Sequence, residues 1–158
     1  AHPHWTRIMN DHAAATAVLK LTGKSAVESL MFDLGTGNNG LIMTSPGATI
    51  SHVHLVGSSL TGAGVCLWLD GDSVEHADLH HIEIEGNVTF TTGLLIDQFA
   101  RAYIDAIRIF SCLTAIQIVG ANSDENTFIR LDIGDCSLGL DLDAGNEQHF
   151  DDVLFNAL

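Results

Sequence analysis

The segment IDAIRI at residues 104–109 is followed about one period later by FIRLDI at residues 128–133. Both segments have apolar residues at their first, fourth and sixth positions, which is not the spacing of a helical face. The pattern occurs six times, and its fourth positions are Leu30, Val53, Ile82, Ile107, Leu131 and Val153. These positions are 23, 29, 25, 24 and 22 residues apart. The recurrence predicts a structural repeat of about 24 residues.

A second apolar string alternates with the first along the chain and usually follows a glycine. Each copy has two apolar residues separated by one position, and the copies are Leu19-Leu21, Leu41-Met43, Leu67-Leu69, Leu94-Ile96, Ile116-Ile118 and Leu140-Leu142. Two strings that share one period indicate a single unit that repeats.

The unit has no helical period, is too short for a propeller blade, and lacks the fixed Asn or Cys spacing of leucine-rich repeats. Its steps of 22 to 29 residues also differ from the strict hexapeptides of left-handed β-helices. We therefore predict an all-β fold, a right-handed single-stranded parallel β-helix (β-solenoid) of about five to six turns.

The β-helix is assigned to residues 25–158, and residues 1–24 form an N-terminal arm or cap, or a partial first turn. Asp11 could cap a short helix that follows it. The phase of Leu19 and Leu21 favours a strand instead.

Stacking of the turns predicts which residues face inward and which become neighbours. The inward residues are Ile50, Val53, Leu55, Ile82, Ile84, Ile107, Ile109, Leu131 and Ile133. Cys112 should lie beside Cys136 in the adjacent turn. Arg108 should lie between Glu83 and Asp132, which predicts an exposed ladder of alternating charge.

The 158-residue chain is 46% hydrophobic and has a formal net charge of -14 at pH 7. Such a surface repels phosphate backbones and anionic headgroups, so nucleic acid and membrane surfaces are not expected as partners. No apolar run reaches the ~18 residues of a membrane span. Cys66, Cys112 and Cys136 lack the paired spacing of a zinc site and are expected to be free thiols, and no cofactor is predicted.

The outward residues of the second string are apolar in three successive turns, at Ile42, Trp68 and Leu95. Because a strand that is apolar on both faces is covered on both faces, we predict that these residues form a contact between copies of the chain. A loop of the same chain, within residues 48–64 or 85–93, could cover them instead. The chain stops within a turn, so a neighbouring chain or a further segment is expected to cover the last turn.

Outward carboxylates and histidines are the candidate functional residues. Glu83, Glu85 and Asp132 are candidate catalytic residues, since glycoside hydrolysis needs two carboxylates that flank the scissile bond. The alternative is that they are solvated residues of an acidic surface.

Three histidines, His52, His54 and His81, fall on adjacent strands and could bind a transition metal together with Glu83. The alternative is that they are ordinary exposed histidines, and no metal is predicted as a cofactor.

Two stretches carry a resemblance to a known group, FARAYIDAIRIFSCLTAIQIVG at residues 99–120 and NTFIRLDIGDCSLGLDLDAGNEQHF at residues 126–150. Their N-x-F, apolar-x-apolar and Gly-apolar-x-apolar strings resemble the turns of bacteriophage tail-spike and tail-fibre β-helices, which share their fold with pectate lyases. The resemblance is one of repeat style, covers roughly residues 25–158, and includes no catalytic motif. It implies a homotrimeric protein, virion-borne or extracellular, of a kind that often binds or cuts surface polysaccharide.

We therefore predict a structural virion protein, as a tail spike, tail fibre or capsid-decorating component, which contacts other virion proteins and host surface glycans. Two alternatives remain open: a polysaccharide-degrading glycoside hydrolase of the tail-spike type, and a cell-surface adhesin. Few cations and the lack of a catalytic motif favour the structural role over the enzyme.

Overall fold

A computed structural model describes residues 6–9, 17–35, 39–44, 46–57, 64–89, 91–143 and 147–156. All regular secondary structure in these ranges is β-strand. The strands are β1 (Thr6–Met9), β2 (Leu19–Leu21), β3 (Ala26–Asp33), β4 (Asn39–Met43), β5 (Ala48–Val56), β6 (Gly64–Glu85), β7 (Thr91–Phe110), β8 (Thr114–Val119), β9 (Asn126–Gly134), β10 (Leu138–Leu142) and β11 (Gln148–Asn156).

Every strand pairing is parallel, and the strands form two stacks. The first stack contains β1, β3, β5, the second halves of β6 and β7, β9 and β11. The second stack contains β2, β4, the first halves of β6 and β7, β8 and β10. The chain therefore coils into a β-solenoid of about 5 turns of ~24 residues, which confirms the predicted fold class.

The register of the first stack is the one that the repeat predicts. Val53 pairs with Ile82, Ile82 with Ile107, and Ile107 with Leu131. The nine residues predicted to face inward are all buried, with at most 2% of each exposed. The apolar positions therefore recur in each turn because they all pack into one continuous core. The right hand of the coil stays a prediction, in line with the hand of nearly all parallel crossovers.

Strands β1 and β2 extend the two stacks by one further turn. Ile8 of β1 pairs with Phe32, and Leu19 of β2 pairs with Leu41. Within residues 1–24, the described segments thus have the position of a partial first turn. The helix that Asp11 could cap lies outside the described residues.

A residue in the left-handed conformation interrupts each described turn of the first stack from β3 onward. These residues are Ser29, His52, His81, Ala106, Arg130 and Asp152, with φ between 51° and 57°. None is glycine, so each has a steric cost on the order of 1 kcal/mol. The strand bends at this residue, which is left out of the ladder pairing. The two inward-facing residues on either side of the bend are therefore three positions apart instead of two. The bend is the physical reason for the apolar spacing at positions one and four.

Glycines that precede the second string allow close packing between turns. A Cβ on Gly40 would lie 2.3 Å from the Cys66 carbonyl oxygen, and one on Gly93 would lie 2.7 Å from the Ala115 carbonyl oxygen. No side chain fits at such distances without a backbone shift. The segments that pair in the second stack, which in β6 and β7 are residues 64–70 and 91–97, contain no left-handed residue, and Gln98, with a φ of 51°, follows directly in β7.

Candidate functional site

We call the outer face of the first stack the kinked wall and the outer face of the second stack the flat wall. A groove with a volume of about 390 Å³ lies on the kinked wall and crosses β5, β6, β7 and β9. It follows the solenoid axis because each turn contributes residues from the same two outward columns. One column consists of the left-handed residues, and the other follows it by two positions in each turn.

The second of these columns contains His54, Glu83, Arg108 and Asp132, which pair successively in the ladder. Arg108 Nη1 lies 3.9 Å from Glu83 Oε1, and Arg108 Nε donates a hydrogen bond of 3.4 Å to Asp132 Oδ2. The side-chain Nδ2 of Asn156 donates a hydrogen bond of 2.7 Å to the other carboxylate oxygen of Asp132, Oδ1. The predicted ladder of alternating charge is confirmed, and because Arg108 is 55% exposed it stabilises the fold only weakly.

The left-handed column provides the opposite side and the floor of the groove. The His52 and His81 rings stack with centroids 4.8 Å apart and planes within 3° of parallel. Ala106 follows in the next turn, and its small side chain leaves depth at this level. Arg130 lies beyond it and closes this side of the groove.

Arg130 is held by a nearly buried carboxylate that sequence reasoning missed. Its Nε donates to Asp105 Oδ1 at 2.8 Å, and its Nη2 donates to Asp105 Oδ2. Asp105 is only 9% exposed. The hydrogen bonds from Arg130 hold the pKa of the Asp105 carboxyl below its usual range despite this burial. The two residues are 25 positions apart in the sequence and belong to neighbouring columns. The repeat pattern predicts contacts only within one column, so it does not indicate this pair.

The candidate carboxylates are brought together only in part. Glu83 and Asp132 both line the groove, whereas Glu85 pairs with Phe110 in the ladder and lies outside it. Glu83 and Asp132 are two strands apart, which is roughly 9.6 Å at the usual strand spacing. The Arg108 guanidinium lies between them and contacts both. An inverting hydrolase would need this space for the attacking water.

The candidate metal ligands His52, His54 and His81 all line the same groove. Even so, no three His, Cys, Asp or Glu side chains in the described ranges are arranged to hold a metal ion. The His52 and His81 rings stack face to face, whereas an imidazole nitrogen binds a metal ion in the plane of its ring. The stacked faces therefore offer no ligand to a metal between them. The buried Nε2 atom of His54 has no hydrogen-bond partner in the described part of the protein.

The predicted contact residues form one column of the flat wall, in which Ile42 pairs with Trp68 and Trp68 with Leu95. Ile42 is only 6% exposed in the single chain, and Trp68 and Leu95 are half-buried. In the next two turns, Gln117 and Asp141 continue the column through a hydrogen bond of 2.9 Å. The apolar part of this wall is therefore less open than the sequence suggests.

More exposed apolar residues lie just before β7 and β8 and at the first residue of β10, where no prediction placed them. Val88, Leu113 and Leu138 are 47%, 42% and 46% exposed. The Leu138 amide donates to the Leu113 carbonyl at 2.9 Å, so these two residues stack in adjacent turns. They fall outside both strings, which is why the repeat pattern does not identify them.

All three cysteines are free and buried, as predicted. Cys112 and Cys136 occupy adjacent turns, where the Ser137 amide donates to the Cys112 carbonyl at 3.0 Å. The adjacent Cys112 thiol lowers the pKa of Cys136, whereas burial raises the pKa of Cys66 to about 12. Both partners of the Cys112–Cys136 pair are almost fully enclosed, so the pair belongs to the core.

No helix in the described ranges is long and apolar enough to cross a membrane. No protein-family model, curated protein or solved structure matches this chain.

Proposed function

We propose that this protein is a structural, receptor-facing β-solenoid of a virion that binds a host surface glycan in the groove of the kinked wall. It would serve as a tail spike, a tail fibre or a capsid-decorating component, outside the cell and in contact with other virion proteins. The observation that carries the proposal is the groove itself, which follows the solenoid axis across four strands. Its alternating Glu83, Arg108 and Asp132 offer a regular series of hydrogen-bond partners.

A long, shallow groove of this kind fits an extended chain better than a compact molecule. Successive turns repeat at about 4.8 Å, which is close to the length of one pyranose residue. Carboxylates accept hydrogen bonds from sugar hydroxyls, and guanidinium groups donate to them. Each turn would therefore contact about one sugar, and the affinity would build up along the axis.

The state of the two groove carboxylates supports binding without cleavage. Arg108 contacts both Glu83 and Asp132, and its guanidinium occupies the space between them that a nucleophilic water would need.

The proposal is tested by probing an array of bacterial surface polysaccharides with the purified protein and with Ala106→Trp. The Trp side chain fills the groove floor without changing any charge, so we expect at least one glycan to bind the wild type and not the variant. Gln117→Trp places the same bulk on the flat wall and should leave binding intact. Absence of any glycan ligand, or full binding by Ala106→Trp, contradicts the proposal.

A glycoside hydrolase is the second candidate, favoured by the roughly two-strand separation of Glu83 and Asp132, which is near the upper limit for inverting enzymes. It is tested by measuring new reducing ends after the bound glycan is incubated with the protein. The structural role predicts none. Release that is abolished by Glu83→Gln and by Asp132→Asn would establish the enzyme instead.

The proposal includes a homotrimer whose chains meet through the flat wall at Ile42, Trp68 and Leu95. Trp68 supports it because its half-buried ring has a buried Nε1 without a hydrogen-bond partner in the described residues. A central aromatic anchor contributes on the order of 2 kcal/mol or more to an interface. Light scattering should give a trimer that dissociates on dilution in Trp68→Ala, and a wild-type monomer would contradict this part.

A further inference from the structure

Cys112 and Cys136 occupy equivalent corners of two adjacent turns. Cys112 lies between β7 and β8, and Cys136 lies between β9 and β10. The residue before each cysteine, Ser111 or Asp135, has the left-handed conformation, with a φ of 55° or 53°. Each thiol donates to the carbonyl two positions earlier in the chain, Cys112 at 3.4 Å and Cys136 at 3.2 Å. The two side chains therefore leave the same bend in the same direction, into the core.

Backbone hydrogen bonds hold these two corners in register. The Ser111 amide donates to the Gly134 carbonyl at 3.2 Å, and the Ser137 amide donates to the Cys112 carbonyl at 3.0 Å. At the usual spacing of paired strands, the Cα atoms of Cys112 and Cys136 are roughly 4.8 Å apart. Cystines have Cα separations of about 4.4–6.8 Å. Rotation of the side chains and a backbone shift of less than about 1 Å would bring the two sulfur atoms to bonding distance.

Cys66 has no such partner across the ladder. The pairs on either side of it place Cys66 opposite Gly40 and Gly93 in the neighbouring turns. It is fully buried, and this burial raises the pKa of its thiol to about 12. Among the three cysteines, the stacking therefore singles out Cys112 and Cys136.

The corner of Cys136 begins the turn with the least cover in the described structure. Strand β11 pairs with β9, and no described strand lies on its other edge. The inward residues Leu142 and Phe155 of this turn are 51% and 43% exposed, whereas their ladder partners one turn earlier, Ile118 and Ile133, are fully buried. A turn with so little burial opens more readily than the whole solenoid, and its opening exposes Cys136.

We propose that Cys112 and Cys136 are a modification site, at which a disulfide fastens the last described turn to the turn before it. The oxidant is the disulfide of a small thiol, such as glutathione disulfide. The inference goes beyond the proposed function and does not depend on the glycan site. Disulfides of this kind persist in oxidising surroundings such as the outside of a cell.

The reaction is a thiol–disulfide exchange in two steps. Cys136 releases its proton, and its thiolate attacks one sulfur of glutathione disulfide, which breaks that S–S bond and releases one glutathione thiolate. Cys112 then releases its proton and attacks the Cys136 sulfur, which forms the protein disulfide and releases the second glutathione thiolate. The two glutathione thiolates take up two protons, so two protein thiols are oxidised and one glutathione disulfide is reduced.

The two thiols are not equivalent in this reaction. Cys136 is 3% exposed and Cys112 is fully buried, so an oxidant reaches Cys136 first. The adjacent Cys112 thiol also lowers the pKa of Cys136, which favours the attacking thiolate. We therefore expect any intermediate with bound glutathione to carry it on Cys136.

The experiment counts free thiols in the reduced protein before and after incubation with glutathione disulfide. The remaining thiols are blocked with N-ethylmaleimide in urea, and mass spectrometry of the intact chain gives the number of labels. We expect labels on all three cysteines before oxidation and on Cys66 alone afterwards. Peptide mapping should identify a cross-link between Cys112 and Cys136.

The cross-link should also stabilise the fold. It closes a loop of about 24 residues in the unfolded chain, so we expect the Tm to rise by roughly 5–10 °C and to return on reduction. Cys112→Ala and Cys136→Ala should each abolish this rise. Cys66→Ala is the matched control and should keep it, and circular dichroism shows whether each variant is folded. The thiol count on the wild type does not depend on the variants.

A second incubation separates access to the thiols from the geometry of the corners. The reduced protein is unfolded in urea and refolded with the same oxidant, which removes the barrier of burial. A cross-link that forms only on refolding supports the site, because the bond then forms before the turn closes. Free thiols on all three cysteines of the folded protein in both incubations overturn the inference. A cross-link that includes Cys66, or a glutathione adduct on Cys136 that never resolves, also overturns it.

Discussion

The kinked wall and the flat wall cover the same core and differ in one backbone feature. The kinked wall has a left-handed residue in every described turn from β3 onward, and the segments that pair in the flat wall, which end at residue 97 in β7, have none. A bend brings two outward side chains between successive inward ones, whereas a straight strand brings one. The bend creates a groove lined by His, Arg, Glu and Asp side chains. The strands of the flat wall present a single column, which runs from Lys20 through the apolar Ile42 to the polar Asp141.

The largest expected effect tests whether both walls depend on the same core. Ile107 faces inward under the kinked wall and Ile96 under the flat wall, and both are fully buried. Ile107→Ala and Ile96→Ala should each lower the free energy of unfolding by about 2–5 kcal/mol. Urea denaturation measures both, with the 51%-exposed Leu142→Ala as the nearly neutral control. A large loss from only one of the two would mean that the walls do not share a core.

The next effect is the loss of the Arg130–Asp105 pair on the kinked wall. Arg130→Gln leaves the nearly buried Asp105 carboxylate without its main partner, so the Tm at pH 7 should fall by several degrees. Arg101→Gln is the matched control, because its pair with Glu125 is about half-exposed on both sides and should matter less.

The pH dependence of this variant follows from the lowered pKa of Asp105. A carboxyl whose pKa is lower in the folded state stabilises the fold above its unfolded value, and the gain is lost as the pH falls through the folded value. The difference in Tm between wild type and Arg130→Gln should be complete at pH 7 and begin to shrink near pH ~4. A difference that grows on acidification would contradict the assigned role.

A smaller effect tests the bend itself. Ala106 has a φ of 54°, which glycine adopts without steric cost. Ala106→Gly should therefore raise the free energy of unfolding by about 0.5–1 kcal/mol, after allowance for the greater freedom of glycine in the unfolded chain. Ala102→Gly, in the extended part of the same strand, should be destabilising. If both substitutions destabilise equally, Ala106 is not in the left-handed conformation.

The smallest effect concerns the flat wall. Burial, together with the neighbouring Asp70, raises the pKa of Asp97, so its charged form destabilises the fold at neutral pH. Asp97→Asn should raise stability at pH 7 by less than about 1 kcal/mol, since the site is partly solvated. The gain should vanish below the usual carboxyl range, at pH ~3. Asp143→Asn, at an exposed acid, should have a smaller effect, and a loss of stability in Asp97→Asn at pH 7 would contradict the assignment.

The sequence predicts the turns and their register because burial repeats with the turn. Ile82 and Ile107 must be apolar wherever the chain coils around one core, and their spacing records the coil directly. The groove is not predicted in the same way. Its bends fall on Ser, His, Ala, Arg and Asp residues, so no residue type marks them, and the stacking of neighbouring turns imposes the conformation. Only the three-residue gap between apolar positions indicates the bend.

The sequence predicts which residues line the candidate site, but it does not predict the contacts between their side chains. Glu83, Asp132 and the three histidines follow from outward positions, which the period fixes. Arg130 and Asp105 do not, because their contact crosses from one column to the next and depends on side-chain reach. The burial of Ile42 and the partial burial of Trp68 likewise depend on contacts that the period does not encode.

The most direct test of the glycan site is a crystal structure of the protein with the array glycan that it binds most tightly. The proposed function predicts an extended oligosaccharide along the groove, in contact with Arg108 and with the His52–His81 pair. Its sugars should follow the solenoid axis at about one per turn. An oligosaccharide bound on the flat wall, or one that crosses the turns without contacting Arg108, would contradict the account.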